Sequence, residues 1–364
     1  MRNHQSNSCR RDMFRRAGLS LLLLAAAIYV RGASLAETVQ IPLITGLTTT
    51  SAVSDRAGDY ETLGVIEDMT ATNFRLTLSG EAPDDSGQVR EFTLSRYIRL
   101  QDLQLSHTLR RYFDESDPEE FPGTTPEFSA AMISELRATG ETTINFQDVE
   151  PSLFSTVVKR TYRGVLSRVG TGAQDLSVLV NGEVRPVHAL HATARLSAGA
   201  DSDDFDFWVL DDPANPLILR STGPSISSSL LKIDFPVRVE ASSSIEQSLA
   251  EQKHALVYGI YFKFAHADIR PQSEAILKQI AVALKNNPEW HLSIVGHTDN
   301  VGGDVANLEL SRRRAAAVKA ALVERYGISA ERLTSSGYGA SQPQEKNDTP
   351  QGRARNRRVE LIRQ

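Results

Sequence analysis

The sequence predicts an α+β fold: a β-rich N-terminal domain followed by an α/β sandwich domain, a mixed sheet backed by long helices. Two periodicities and one shift in composition predict it. Apolar and polar residues alternate with period two through residues 73–78 and 91–95, as strands with one buried face require. After residue 258 the apolar spacing becomes helical. Between these parts, residues 241–253 are small, polar and free of aromatics. Such a stretch reads as a linker with some helical character. The expected boundaries are therefore a β-rich domain at 37–240, a linker at 241–257 and an α/β domain at 258–364. A chain of 364 residues suits two cores of this size.

The first 36 residues read as an address. A basic segment with Arg10, Arg11, Arg15 and Arg16 precedes an apolar run at 17–30. Ser34 and Ala36 then place small residues at the −3 and −1 positions of a cleavage site, the order of a secretory signal peptide. The run is short for a transmembrane helix, which needs roughly 20 apolar residues. The alternative is an uncleaved inner-membrane anchor. The one cysteine, Cys9, excludes a disulfide within the chain and any Cys-based metal or redox pair. It lies before the apolar run, whereas a lipoprotein cysteine follows one.

Within 37–240 the elements are mostly short strands. Residues 176–180, Asn181-Gly182 and 183–187 form a hairpin signal, because Asn-Gly supplies the positive φ angles of a type I′ turn. Residues 205–210 and 216–219 form a second strand pair. One helix is expected from Thr125-Pro126, with Phe128, Met132, Ile133 and Leu136 at helical spacing and Gly140 closing it. The strands are too short, and too charged on their outward positions, for an outer-membrane barrel with aromatic girdles. Aromatics make up only 7% of the chain, which argues the same way. The strand-rich, long-hairpin pattern resembles periplasmic domains that bind lipid or serve as adaptors. Asp201, Asp203, Asp204 and Asp206 lack EF-hand spacing and read as a solvated acidic turn before a strand. His188 and His191 are an odd number apart on a strand, so they face opposite ways and make no metal pair. No metal site and no cofactor are expected.

The last domain follows in order. A strand is expected at 258–264. A helix starts at Pro271, carries Ile276, Leu277, Ile280, Ala283 and Leu284 inward, and stops at Asn287-Pro288. A strand follows at 291–295. A second helix spans 305–326, with Gly327 as its C′ residue, and 359–362 is the final strand. This domain holds 16 Lys+Arg against 11 Asp+Glu, while the rest of the chain holds 24 against 34. The cationic excess favours an anionic partner. It lacks the interleaved aromatics of a single-strand nucleic-acid binder, so no nucleic acid is expected.

One position in the second helix stands out. Leu310, Arg314, Val318 and Leu322 lie four apart and share a face. The three apolar members are expected to face the core, with Arg312 and Arg313 solvated. A guanidinium on such a row costs several kcal/mol unless it is paired. Arg314 therefore needs an anion, either a protein carboxylate or a ligand. The glycine-rich loop before the helix, 296–303, holds Asp299 at a strand end. An Asp and an Arg together match a zwitterionic amino-acid head: the carboxylate accepts from an ammonium, and the guanidinium grips a carboxylate with two parallel hydrogen bonds.

Four blocks then give a family resemblance: Gly296-His297-Thr298-Asp299-Asn300, the run from Asn307 to Ala315, Gly337-Tyr338-Gly339, and Asn356-Arg357-Arg358-Val359-Glu360. In order and spacing, residues 258–364 resemble the OmpA-like C-terminal domain. The resemblance does not extend to the N-terminal region. It implies non-covalent binding of peptidoglycan, with Asp299 and Arg314 holding the diaminopimelate of the stem peptide. It also points to Thr298, Asn307, Arg357 and Arg358 as binding residues. It implies no enzymatic activity. His297 has no serine or cysteine nucleophile beside it, and a ring hydrogen bond to the loop is expected of it.

These readings imply a non-enzymatic tether in the periplasm of a Gram-negative bacterium, exported by a cleavable signal and associated with the outer membrane. The N-terminal domain would supply a second attachment, to an envelope protein or a lipid. The competing readings are an inner-membrane-anchored, stator-like protein of a motor and a periplasmic lipid carrier with a wall-binding domain. The first needs a retained helix with an acidic residue, and 17–30 contains none.

Overall fold

A computed structural model describes residues 39–56, 58–84, 86–111, 119–150, 158–236, 244–262 and 266–364. The expected export signal at 1–36 lies outside them. The described residues form one compact unit.

The β-rich region is a sheet of thirteen strands. It begins as an antiparallel meander of β1 (Thr48–Asp55), β2 (Gly58–Glu67), β3 (Asn73–Pro83) and β4 (Val89–Arg99). Next come α1 (Leu100–Leu105), β5 (Thr108–Arg110), β6 (Glu119–Glu120) and α2 (Ala130–Ala138). Then follow β7 (Glu141–Glu150), β8 (Val158–Arg168), β9 (Gln174–Val180) and β10 (Glu183–Ala198). The last are β11 (Asp201–Leu210), β12 (Ile218–Thr222) and β13 (Ile226–Asp234). The sheet runs β5-β7-β8-β10-β11-β12-β13-β1-β2-β3-β4-β6, and β9 pairs with both β10 and β13. The β9–β10 turn carries Asn181 at φ 48° and Gly182 at φ 82°, the positive pair that Asn-Gly anticipates. The second expected pair is β11 with β12.

Besides a small cluster of Val53, Tyr60, Ala82 and Phe92, two larger apolar clusters lie against this sheet. One packs Met132, Ile133 and Leu136 of α2 onto Phe146, Phe205 and Phe207. The other gathers Ile66, Phe74, Ile98, Val187 and Ile233. Helix α2 starts five residues later than Thr125 suggests. Ser129 caps it, its hydroxyl accepting from the Met132 amide at 3.2 Å. Thr125 instead bridges to Leu109. The acidic run at 201–206 is not a turn but the body of β11. Asp203 accepts from the Tyr162 hydroxyl at 2.9 Å, Asp204 pairs with Arg195, and Asp206 lies 2.6 Å from His191. His188 pairs separately with Asp175 at 2.5 Å.

The second sheet has four strands: β14 (His254–Val257), β15 (Leu292–His297), β16 (Leu333–Gly339) and β17 (Val359–Arg363), in the order β14-β17-β15-β16. Only β15 and β16 are parallel. Four helices belong with it: α3 (Ser244–Gln252), α4 (Glu274–Asn286), α5 (Asp304–Tyr326) and α6 (Pro350–Asn356). Leu277, Ile280 and Leu284 of α4 meet Val318 and Leu322 of α5 over Leu292 and Ile294 of β15. Helix α5 ends on Gly327 at φ 69°, a left-handed residue that closes the last turn.

Two expectations change here. From residue 244 on, the stretch expected as a linker is folded. Ile245 and Leu249, one turn apart, bury in the second core, and Ala255 and Val257 alternate into it from β14. The first strand therefore sits at 254–257 rather than 258–264, whose last residues lie outside those described. The backbone of Tyr261 does not join a ladder: its amide donates to Ser273 Oγ at 2.8 Å and its carbonyl accepts from the Arg270 amide at 2.8 Å. Among the described residues, no helix is long and apolar enough to cross a membrane.

Candidate functional site

Two glycines set the geometry of the site. A Cβ on Gly296 of β15 would lie 2.2 Å from the Ser311 carbonyl oxygen, and one on Gly337 of β16 would lie 2.3 Å from Ser311 Oγ. Helix α5 therefore rests on the two strands at backbone contact, which only glycine permits. Ser311 Oγ donates to the Leu308 carbonyl and accepts from the Gly339 amide at 2.9 Å. This seat fixes the first half of α5 beside the loop that leaves β15.

The loop is tied down from within. The Val301 amide donates to Asp299 Oδ1 at 2.9 Å. Asn307 Nδ2 donates to the carbonyls of Asp299 at 3.2 Å and Val301 at 3.0 Å. The Thr298 hydroxyl donates to the Asp299 carbonyl, and the Thr298 amide donates to the Gly339 carbonyl. Asn307 and Thr298 are buried, so their polar groups chiefly shape the loop. Asp299 is 7% exposed, and its Oδ2 accepts from Arg357.

The buried face of α5 in its first half is Asn307, Ser311 and Ala315, not the row of Leu310 and Arg314. Only Val318 and Leu322 of that row enter the core. Leu310 and Arg314 instead line a cleft of about 910 Å³, as does the solvated Arg313. Arg314 Nε donates to the His266 carbonyl at 3.1 Å, and its guanidinium carbon lies 4.9 Å from the centre of the Phe262 ring. Among the described residues, no carboxylate reaches it at bonding distance. Burial, and then the charge of Arg357, push its pKa down to about 10, while Asp299 and Glu61 favour its charge. It remains a cation at neutral pH, half-buried, and among the described residues only its Nε is seen to donate a hydrogen bond.

Asp299, Arg314, Asn307, Thr298 and Arg357 all line this cleft. Arg358 does not. It is 4% exposed and points the other way, with Nε 2.9 Å from Glu360 Oε1 and Nη2 donating to the Gln342 carbonyl. Successive residues entering β17 face opposite sides, so one arginine of the pair meets the cleft and the other braces the fold. His297 is also buried. Its ring makes no hydrogen bond to the loop: Nε2 lies 3.5 Å from Glu360 Oε1 and the ring packs beside Tyr338. The His297 ring and Arg358 together hold the Glu360 carboxyl well below the usual carboxylate range.

The cleft has a second bank that the sequence did not announce. It is built from β1, β2, β3 and β13 of the β-rich region. Arg357 donates to Glu61 of β2 as well as to Asp299. Burial works against the Arg357 charge, but Glu61 and Asp299 more than offset it and raise its pKa. Nearby, Arg270 Nη2 lies 3.7 Å from Glu81 of β3. Lys232 of β13 donates to the Tyr258 carbonyl at 3.0 Å, and the Tyr261 hydroxyl donates to Asp234. Among the described residues, no group of three or more His, Cys, Asp or Glu side chains is placed to hold a metal ion.

Comparison with known proteins places residues 261–357 in the OmpA family, so the C-terminal region carries an OmpA family domain. Outer membrane porin F of Pseudomonas aeruginosa is 43% identical over 127 residues, 35% of this chain and 36% of that protein. The peptidoglycan-binding protein ArfA of Mycobacterium bovis is 40% identical over 96 residues, 26% of this chain and 29% of that protein. The peptidoglycan-associated lipoprotein of Burkholderia pseudomallei, a solved structure, is 33% identical, with a TM-score of 0.27 over 29% of this chain and 88% of that one. The chain spans 36% and 29% of the lengths of the two curated relatives. No family model matches the β-rich region.

Proposed function

We propose, with the OmpA family domain at 261–357 as premise, that this protein binds peptidoglycan non-covalently and links the cell wall to another envelope component. The observation that carries the reading is Arg314: a half-buried cation that no described carboxylate holds at bonding distance, sharing a cleft with the buried carboxylate of Asp299. The ligand is the free amino-acid head of diaminopimelate in a stem peptide. Its carboxylate meets Arg314 in a forked, charge-assisted pair, and its ammonium meets Asp299. Asn307 and Thr298 hold the loop that presents Asp299. The role is binding, and no chemical step is asked of these groups. A relative whose name records peptidoglycan binding supports peptidoglycan as the class of ligand, and one named as an outer-membrane porin supports an outer-membrane-associated location. The β-rich region supplies the second attachment, to an envelope protein or a lipid.

Sedimentation of the purified protein with diaminopimelate-type peptidoglycan tests this. Wild type is expected in the pellet. Folded Asp299→Ala and Arg314→Ala variants are expected in the supernatant. Wild type remaining soluble, or variants pelleting as fully as wild type, would overturn the reading.

A further inference from the structure

The cleft's inner charges come from two regions of the chain. The OmpA family domain supplies Asp299, Arg314 and Arg357, which sum to one positive charge. The β-rich region supplies Glu61, whose carboxylate takes the face of Arg357 that Asp299 leaves. With Glu61 the four groups sum to zero. The neighbouring Arg270 and Glu81 cancel each other.

That balance bears on what the cleft accepts. An ammonium approaching Asp299 also approaches Arg357, which is bonded to the same carboxylate. Unopposed, the Arg357 charge repels the ammonium and draws a simple anion into the site. Glu61 opposes that charge from the other side. Arg314 meanwhile has no carboxylate at bonding distance among the described residues and is left to the ligand's carboxylate. Glu61 thus balances the charge around Asp299, Arg314 and Arg357, while Asp59, Arg313 and Arg353 line the cleft farther out; a cation and a carboxylate side by side at this inner position fit a ligand head carrying both signs.

We propose that the two regions form one composite binding site, in which Glu61 is a specificity-determining residue that selects a zwitterionic amino-acid head over a purely anionic one. This rests on the peptidoglycan reading above. The β-rich region thus reads the ligand as well as carrying an attachment of its own.

Calorimetric titration of the full chain tests it. The probes are a muramyl tripeptide ending in diaminopimelate with its distal amine free, and the same tripeptide with that amine acetylated. Wild type is expected to prefer the free amine. Glu61→Gln keeps the shape of the side chain and removes its charge. It should shrink that preference by about three- to tenfold, the effect of one charge acting over some 7 Å at a partly hydrated site. Glu67→Gln, a change on the same strand away from the cleft, should leave the preference unchanged. A wild-type preference that survives Glu61→Gln intact would overturn this proposal and leave the peptidoglycan reading standing. Wild type binding neither probe would overturn both.

Discussion

Glu61 on β2 and Asp299 in the loop after β15 hold one guanidinium between them, that of Arg357. Two regions with separate cores are thus joined at the rim of the cleft.

Arg357→Gln should loosen that joint. It leaves Asp299 buried without its cation and frees Glu61. Equilibrium urea unfolding is expected to show a loss of about 2 kcal/mol, the range for hydrogen bonds to charged groups. Amide exchange in β2 should quicken at the same time. Unchanged stability with unchanged exchange would mean that the shared guanidinium does not hold the regions together.

The glycine seat makes a sharper forecast. Gly296→Ala or Gly337→Ala puts a methyl carbon well inside contact distance of Ser311. Helix α5 must lift from β15 and β16, at a loss of about 3 kcal/mol or more. Binding should fall as well, since the same seat positions Asp299 against Arg314. Gly172→Ala has open space around it and should change stability by less than about 0.5 kcal/mol. Thermal unfolding of the three variants separates these cases.

Domain boundaries can be tested by truncation. A fragment of residues 244–364 retains α3 and β14 and is expected to fold and bind. A fragment of 258–364 loses Ile245, Leu249, Ala255 and Val257 from the core and leaves one side of β17 unpaired. It should be largely unfolded by circular dichroism. In the intact chain, Leu249→Ala should cost about 2–5 kcal/mol.

A pH effect is expected from the β-rich region. Burial pushes the Glu127 carboxyl up to about 7 from its ordinary 4.5, with the Arg111 charge and the Ile218 amide only partly offsetting it. A carboxyl raised in this way favours the fold while it is protonated. Its contribution is full below about 4.5 and is lost as pH rises through about 7. Stability measured at pH 5 and at pH 8 should therefore differ by on the order of 2 kcal/mol from this group. Glu127→Gln should abolish that part of the difference. A wild-type pH profile that the variant reproduces would show that Glu127 does not titrate with folding.

Some of this was legible because the signal is local. Asn181-Gly182 announces its turn, and Gly327 announces the end of α5, since each needs a positive φ that few other residues adopt. The four sequence blocks led to the cleft. Other features depend on distances that periodicity does not encode. Helical spacing shows the row through Arg314, yet which part of it enters the core depends on Gly296 and Gly337. They let α5 sink onto Ser311 and turn small residues inward. Arg357 and Arg358 are alike as letters, and only the pairing of β17 with its neighbours tells which one faces the cleft. Glu61 lies 296 residues from Arg357, and nothing near it in the chain marks it as part of a site. The folded stretch from 244 resembles a linker in composition, because its many polar residues mask Ile245 and Leu249 one turn apart.

The strand order β14-β17-β15-β16 carries a consequence for timing. β17 is made after every other strand of that sheet, yet it sits between β14 and β15. A chain emerging from its N-terminal end can pair β15 with β16 early, but β14 must wait more than a hundred residues for its only neighbour in the sheet. The cleft waits as well, because Arg357 arrives with the same last segment. Late closure of this kind leaves β14 without a strand partner until residues 359–363 are in place.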